Sequence, residues 1–316
     1  MQKLDFGVGI RVGLVQTKSD FIAAPVNVRP YISGQVYKGI TFAGNLDADA
    51  SGGVERIRFL DVVAQFELDP LFQIWIGRFL PPSDRANLSG PYFQNAWNYP
   101  DTVNGFPAIY AGRDEGAAIW GQVGGGRFKY QVGTFSGGVL NSLDMWRYAA
   151  RLTLNLLDPE PGYYNSSTYY GSKDILAIGA VAQYQRLGFV NQVTNAKDDF
   201  VAFSGDILFE KNFGPSSGVL DLEGAVYEFE KAHDGYSAYG LASYLIPGKV
   251  AVGQFQPMVR YQNHKLDAGG NNHALDVGVN YVIDGHNLRL ALVYVHQELA
   301  AGTKVDEGQL GVQFQK

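Results

Sequence analysis

The sequence predicts an all-β fold, a 16-stranded antiparallel transmembrane β-barrel forming one domain over residues 1–316. Three observations lead there. Apolar and polar residues alternate with period two over runs longer than the five or six residues of an ordinary soluble strand. Tight turns alternate with long connections, as in bacterial outer-membrane barrels. Glycine is abundant at 39 residues and aromatics reach 13%, while charged residues are held to 18%, a mix suited to tight turns and pleated surfaces.

The first strand, 4–15, sets the pattern. Leu4, Phe6, Val8, Ile10, Val12 and Leu14 share one face; Lys3, Asp5, Gly7, Gly9, Arg11 and Gly13 share the other. A tilted strand of about 9–11 residues crosses the hydrocarbon layer of a bilayer. Strands 28–37 and 40–48 follow, joined at Lys38-Gly39. In 56–68, Leu60, Val62, Ala64, Phe66 and Leu68 alternate with Asp61, Val63, Gln65 and Glu67, and Asp69-Pro70 leads into 71–79. Three glycines, 124–126, turn strand 114–123 into 127–136. Strand 145–157 sets Trp146, Tyr148, Ala150, Leu152 and Leu154 against Arg147, Ala149, Arg151 and Thr153.

Strands 174–186, 199–211, 219–230, 236–246 and 250–262 continue the series, the last two joined at Pro247-Gly248. Strands 273–283 and 287–297 meet at Asp284-Gly285, a strong tight-hairpin signal, and 306–315 completes the sixteen. Pro257 must sit at a bulge or give up a ladder bond. Long connections are expected at 16–27, 80–113, 187–198, 263–272 and 298–305.

Several classes of function are excluded. A net charge of −6 and a pI near 5.4 do not suit a nucleic-acid partner. The absence of cysteine removes disulfides, Cys-ligated zinc, a thiol nucleophile and covalently attached haem, and no cofactor or metal is expected. The longest apolar stretch, Ile175 to Ala182, is far short of the roughly 20 residues of a spanning helix. The chain opens directly as MQKLDFGVGIRV, so an export signal peptide is expected to have been removed already.

Several segments resemble the phosphate-selective porin O and P family. IGRFLPPSDRANLSG (76–90) is similar to that family's strand end and loop start, and GRFKYQVGTFSGG (126–138) to its strand ending in a glycine-rich loop. KVAVGQFQPMVRYQ (249–262) and ALDVGVNYVIDGHNLRLALVYVH (274–296) resemble its C-terminal hairpins. The resemblance implies a trimeric porin in the outer membrane of a Gram-negative bacterium, in contact with outer-membrane lipid. A third external loop would fold into the channel and small hydrophilic, anionic solutes would diffuse through it.

The lumen phase carries eight basic residues, Lys3, Arg11, Arg127, Lys129, Arg147, Arg151, Arg260 and Arg289. It carries eight acidic ones, Asp5, Asp61, Glu67, Asp206, Glu210, Asp221, Glu223 and Asp276. A charge facing midplane lipid costs about 2–4 kcal/mol, which places these residues inside. They either pair with one another along a wet wall, or Arg127, Lys129, Arg147 and Arg151 form a track for anions. The even balance departs from the strongly basic pores of the family's anion-specific members. Selectivity for phosphate itself is therefore not expected.

Loop 80–113 is the expected constriction, because a polar loop of this length in a compact protein is usually functional. Its candidate residues are Asp84, Arg85, Tyr92, Tyr99, Asp101, Arg113, Asp114 and Glu115, with Phe93, Trp97, Phe106 and Tyr110 supplying aromatic surface. Trp75, Trp120 and Trp146 are candidate anchors at the membrane interface, although Trp75 falls on the lumen phase. The Tyr-rich connection 158–172 falls on the short-turn side. It is a docking point, a plug or a sign of miscounted strands.

His264 and His273 could share a loop and bind a metal, but solvated loop histidines are far commoner, and His233-Asp234 with Ser237 is too weak a pairing to indicate an enzyme. The alternative function is a sheath around a periplasmic or extracellular partner, such as an electron-transfer protein. Gly7, Gly9, Gly13 and Gly278 would leave room for it.

Overall fold

The structure is a computed structural model that describes residues 3–18, 21–51, 54–101, 112–137, 146–190, 196–231, 235–266, 270–300 and 302–316. Strands β1 (Lys3–Gln16), β2 (Phe21–Tyr37), β3 (Ile40–Ser51), β4 (Val54–Asp69) and β5 (Phe72–Phe79) lead to a short helix, α1 (Arg85–Ser89). Then come β6 (Asp114–Val123), β7 (Phe128–Phe135), β8 (Arg147–Asn155), β9 (Ile175–Val190), β10 (Lys197–Asn212) and β11 (Val219–Lys231). The last five are β12 (Gly235–Leu245), β13 (Gln254–Leu266), β14 (Asn271–Asp284), β15 (Leu288–Glu298) and β16 (Lys304–Gln315). Each strand pairs antiparallel with its sequence neighbours, and β1 pairs β16 from Gly9↔Gln315 to Gln16↔Gly308, which closes the barrel. Closure leaves no unpaired sheet edge.

The period-two pattern decides which side chains face out. Phe6, Phe59, Val62, Leu152, Leu292 and Leu310 are exposed on the outer surface, whereas Arg147, Arg151, Asp206, Glu210 and Arg289 on the opposite phase are buried. A soluble sandwich would reverse this arrangement. Here the apolar belt is external and the polar face is enclosed, as a barrel in lipid requires.

Four of the five expected long connections prove short. Strand β2 begins at Phe21, β9 runs to Val190, β13 reaches Leu266 and β14 starts at Asn271. The ladders extend beyond the apolar belt because polar residues in water satisfy backbone hydrogen bonds by pairing as well as apolar ones do. Two prolines fall where a ladder is interrupted. The β12–β13 pairing begins at Met258, directly after Pro257, and the β2–β3 pairing skips Arg29 and Pro30.

Two connections are long for a structural reason. Residues 80–113, between β5 and β6, and 156–174, between β8 and β9, come from opposite ends of the barrel; most described residues of the first are buried, and the second buries Glu160, Tyr163, Asn165, Ser167 and Thr168 against it. The strand count is sixteen, so the Tyr-rich connection is not the product of a missing hairpin.

Candidate functional site: two segments inside the barrel

Helix α1 forms because Asp84 caps it. The Asp84 carboxylate accepts the backbone N–H of Asn87 at 3.2 Å, and Gly90, at φ 66°, ends the turn. Asp84 also accepts hydroxyl hydrogen bonds from Ser83 and Tyr227, each at 3.0 Å. Burial, with Asp206 nearby, pushes its carboxyl up to about 6.

The next residue joins the two segments. Arg85 donates to both oxygens of Glu160 at 2.8 and 2.6 Å, and to the Ser166 carbonyl at 2.7 Å. Tyr169 Oη donates to the same Glu160 at 2.6 Å. Burial alone would raise the Glu160 carboxyl, but the Arg85 guanidinium reverses this and holds it at about 2.

Further contacts lengthen the seam. Tyr163 Oη donates to the Leu80 carbonyl at 2.9 Å, Ser167 N–H to the Phe93 carbonyl at 3.0 Å, and Asn165 to the Arg85 carbonyl at 3.3 Å. Beneath it, the Tyr163 ring stacks on Trp75 at 4.5 Å and meets Trp120 and Phe79 edge-on. These rings, with Leu80 and Leu88, make an apolar core inside the barrel. Trp75 and Trp120 are therefore interior residues and not interface anchors; their inward strand phase buries them against Tyr163. Trp146 is exposed on the outer face.

The six basic strand and turn residues expected to line the pore each donate to a main-chain carbonyl of a connection. Arg11 reaches Trp97, Arg151 reaches Ser83 at 3.0 Å, and Arg260 reaches Asn98 at 2.8 Å and Tyr99 at 3.3 Å. Lys129 reaches Gly162 at 3.1 Å, Arg147 reaches Gly137 at 3.3 Å and Arg127 reaches Leu157 at 2.8 Å. Arg289 adds Gln94 at 2.7 Å and Asn95 at 3.0 Å. Inserted backbone needs donors for carbonyls that no strand satisfies, and the arginines supply them.

Five of the acidic residues are engaged as well. Asp206 pairs with Arg151 at 2.9 Å, Asp276 with Arg260 at 2.7 Å, and Asp61 with Arg113 at 3.2 Å. Glu223 accepts from Tyr239 Oη at 2.6 Å. Glu210 accepts from Thr168 Oγ1 at 2.9 Å and from the N–H groups of Tyr169 and Gly171, both at 2.6 Å.

Several expected positions fall elsewhere. Arg127 is exposed in the turn before β7, carried there by Gly124, Gly125 and Gly126, all at positive φ, so it shares no strand track with Lys129. Glu67 and Asp5 are exposed, and Glu115 faces outward in an ion pair with Arg78. Asp114 accepts the Gly137 N–H at 2.7 Å, just beyond the end of β7. Asp101 accepts from Gln297 at 2.7 Å, its carboxyl raised by burial. Burial likewise raises Tyr99, and pushes the Tyr92 hydroxyl up to about 12.

His264 and His273 lie on β13 and β14, and the pairings Asn263↔His273 and His264↔Asn272 put them on opposite faces of the sheet. They share no loop. Among the described residues no group of three His, Asp or Glu is arranged to hold a metal ion. Phe106, Tyr110, His233 and Asp234 lie outside the described residues, as does the Lys3 side chain.

Lumen glycines give room to the chain's own loop. A Cβ on Gly9 would lie 2.7 Å from the Tyr92 ring, and one on Gly311 would lie 2.3 Å from the Trp97 ring. Arg11 stacks over that same Trp97 ring at 3.9 Å.

Among the described residues one cavity lies off-centre, against the β1–β4 side of the wall. Of about 890 Å³, it runs between the β1–β4 wall, residues 88–93, the inserted 161–173 stretch and the 284–287 turn. Its walls include Arg29, Asn45, Asp61, Arg113, Tyr92 and Tyr164. Arg29 is held by Asp47 at 2.6 Å, and Asp47 also pairs with Arg58 at 2.6 Å. Sequence reading missed Arg29, Asp47 and Glu160. The phase shared by Arg29, Tyr31 and Ser33 was a usable signal; nothing local identified the partner of Glu160.

No family model and no curated protein matches the chain. Solved structures do. OprB of Pseudomonas putida matches with a TM-score of 0.72 and 8% identity, covering 99% of this chain and 94% of its own. Salmonella typhi OmpF, solved with daunomycin, gives 0.66 and 14%, covering 100% and 98%. An anion-selective porin from Comamonas acidovorans gives 0.62 and 12%, covering 99% of each chain. With this likeness over the whole chain and a closed ring of sixteen strands, the protein has the fold of an outer-membrane porin.

Proposed function

We propose that the protein is a non-enzymatic porin of a Gram-negative outer membrane, assembled as a trimer, through which small hydrophilic, anionic solutes diffuse passively. The observation that carries this reading is the off-centre cavity with Arg29 and Arg113 in its wall. Loop 80–113 would be the external loop that narrows it. Support for the anionic preference and the trimer comes from the similar structures, one described as an anion-selective porin and another, OmpT of Vibrio cholerae, as a trimer form. The resemblance to the phosphate-selective O and P family rests on the quoted segments. Phosphate is not proposed as the solute, since the strand arginines are occupied by loop carbonyls and carboxylates.

A sheath threaded by a partner is not favoured, because residues 80–101 and 159–173 occupy the space it would need. The test is solute entry into liposomes carrying the purified protein. Small carboxylates should enter faster than sugars or amines of equal size. Faster entry of the amines, or no entry at all, would contradict the reading.

A further inference from the structure

We propose that the segment 159–173, entering from the short-turn end, is a second constriction wall, so that the size limit is set by two segments from opposite mouths. The inference rests on the porin reading and names the residues that narrow the passage.

Three observations carry it. First, the segment is pinched off at its base. Asp158 N–H donates to the Asp174 carbonyl and Asp174 N–H to the Asp158 carboxylate, both at 2.8 Å, extending the β8–β9 ladder beyond the strands. Everything between is an excursion into the lumen. Fifteen residues far exceed the two that a tight hairpin turn needs.

Second, the excursion is built to stay inside. Glu160 is fastened by Arg85 and Tyr169, Gly162 by Lys129, Thr168 by Glu210, and Tyr163 by the indole of Trp75. His286, in the turn before β15, donates to the Thr168 carbonyl at 2.9 Å and lies 5.0 Å from the Phe93 ring and 4.8 Å from the Tyr170 ring. One turn thus braces both segments. Third, the excursion forms one side of the open cavity, with Pro161, Tyr164, Tyr169 and Lys173 in its lining, facing the Arg29 and Asp61 wall.

The test uses the purified full-length barrel in a planar bilayer. Replacing residues 159–173 with Asn-Gly should close a plain hairpin, raise single-channel conductance at least about twofold and admit larger sugars in liposome swelling. Unchanged conductance and exclusion limit from a folded barrel would overturn the inference.

A second variant does not depend on the deletion folding. The chain has no cysteine, so Tyr164→Cys carries its sole thiol, and a bulky methanethiosulfonate reagent added to the open channel should cut conductance by half or more. Full conductance after confirmed labelling would overturn the inference equally. Failure of the porin reading looks different, since the wild-type protein would then give no conductance.

Discussion

Arg85 and Glu160 enter the barrel from opposite ends and meet as a two-pronged ion pair at 2.8 and 2.6 Å, neither side chain more than 1% exposed. Such a pair offsets the cost of desolvating two charges only while both partners are present. Glu160→Gln or Arg85→Ala alone should therefore destabilise the protein by about 3–5 kcal/mol, because a buried charge is left unpaired. The combined Arg85→Met, Glu160→Leu variant should lose less than the sum. Denaturant unfolding in detergent, arranged as a double-mutant cycle, measures the difference.

Acid should act on the seam in two separate steps. His286 is held at about 4 by burial and by Arg289, so it stays neutral in the fold while an unfolded histidine, at about 6.5, takes a proton. Its contribution is lost as pH falls from about 6.5 to 4. Glu160, held at about 2, contributes fully above the unfolded carboxyl value of about 4.3 and is lost between there and about pH 2. Each step is worth up to about 3 kcal/mol. In unfolding measured from pH 8 to 3, His286→Gln should remove the upper step and keep the lower.

Charge preference should follow the open wall and not the clamps. Arg29→Ala should lower the chloride-to-potassium permeability ratio about 2- to 5-fold, on the order of 0.4–1 kcal/mol for a partly hydrated charge. Arg113→Ala should lower it too but also destabilise the barrel, because buried Asp61 loses its partner. Arg147→Ala should leave that ratio unchanged, because its guanidinium is spent on Gln185 and the Gly137 carbonyl. Arg151→Ala should destabilise the barrel by leaving Asp206 short of its main partner. Reversal potentials under a salt gradient, with unfolding curves beside them, separate the two behaviours.

Gly311 tests the loop cradle. Its missing Cβ is the space filled by Trp97, and Gly311→Val should expel that ring along with the Arg11 contact to the Trp97 carbonyl. The expected readout is red-shifted tryptophan emission and altered conductance. Unchanged emission would place Trp97 elsewhere.

The barrel was legible in the sequence because period two is a one-dimensional pattern. Leu4 to Leu14 against Asp5 to Gly13 sorts the side chains into two faces before any partner is known, and the length and number of the strands decide which face is turned outward. The inward phase of Arg147, Arg151, Asp206 and Arg260 followed from the same rule. The rule is silent about what those charges touch. Arg151 meets Ser83 across 68 residues and Arg289 meets Gln94 across 195, and no local signal encodes such pairs. Trp75 illustrates the conflict between readings: its parity pointed inward while its residue type pointed to the interface, and parity decided. The 158–172 segment was visible only as a violation, too long for its side of the barrel, and the tyrosines that made it conspicuous are the ones packed against Trp75, Glu160 and Arg289.

The most direct measurement is the conductance of the purified wild-type barrel in a planar bilayer under a KCl gradient. A trimeric, anion-leaning porin gives small, stable steps, grouped in threes, with a reversal potential favouring chloride. Silence from a folded, heat-modifiable barrel, or a reversal potential favouring potassium, would contradict that reading.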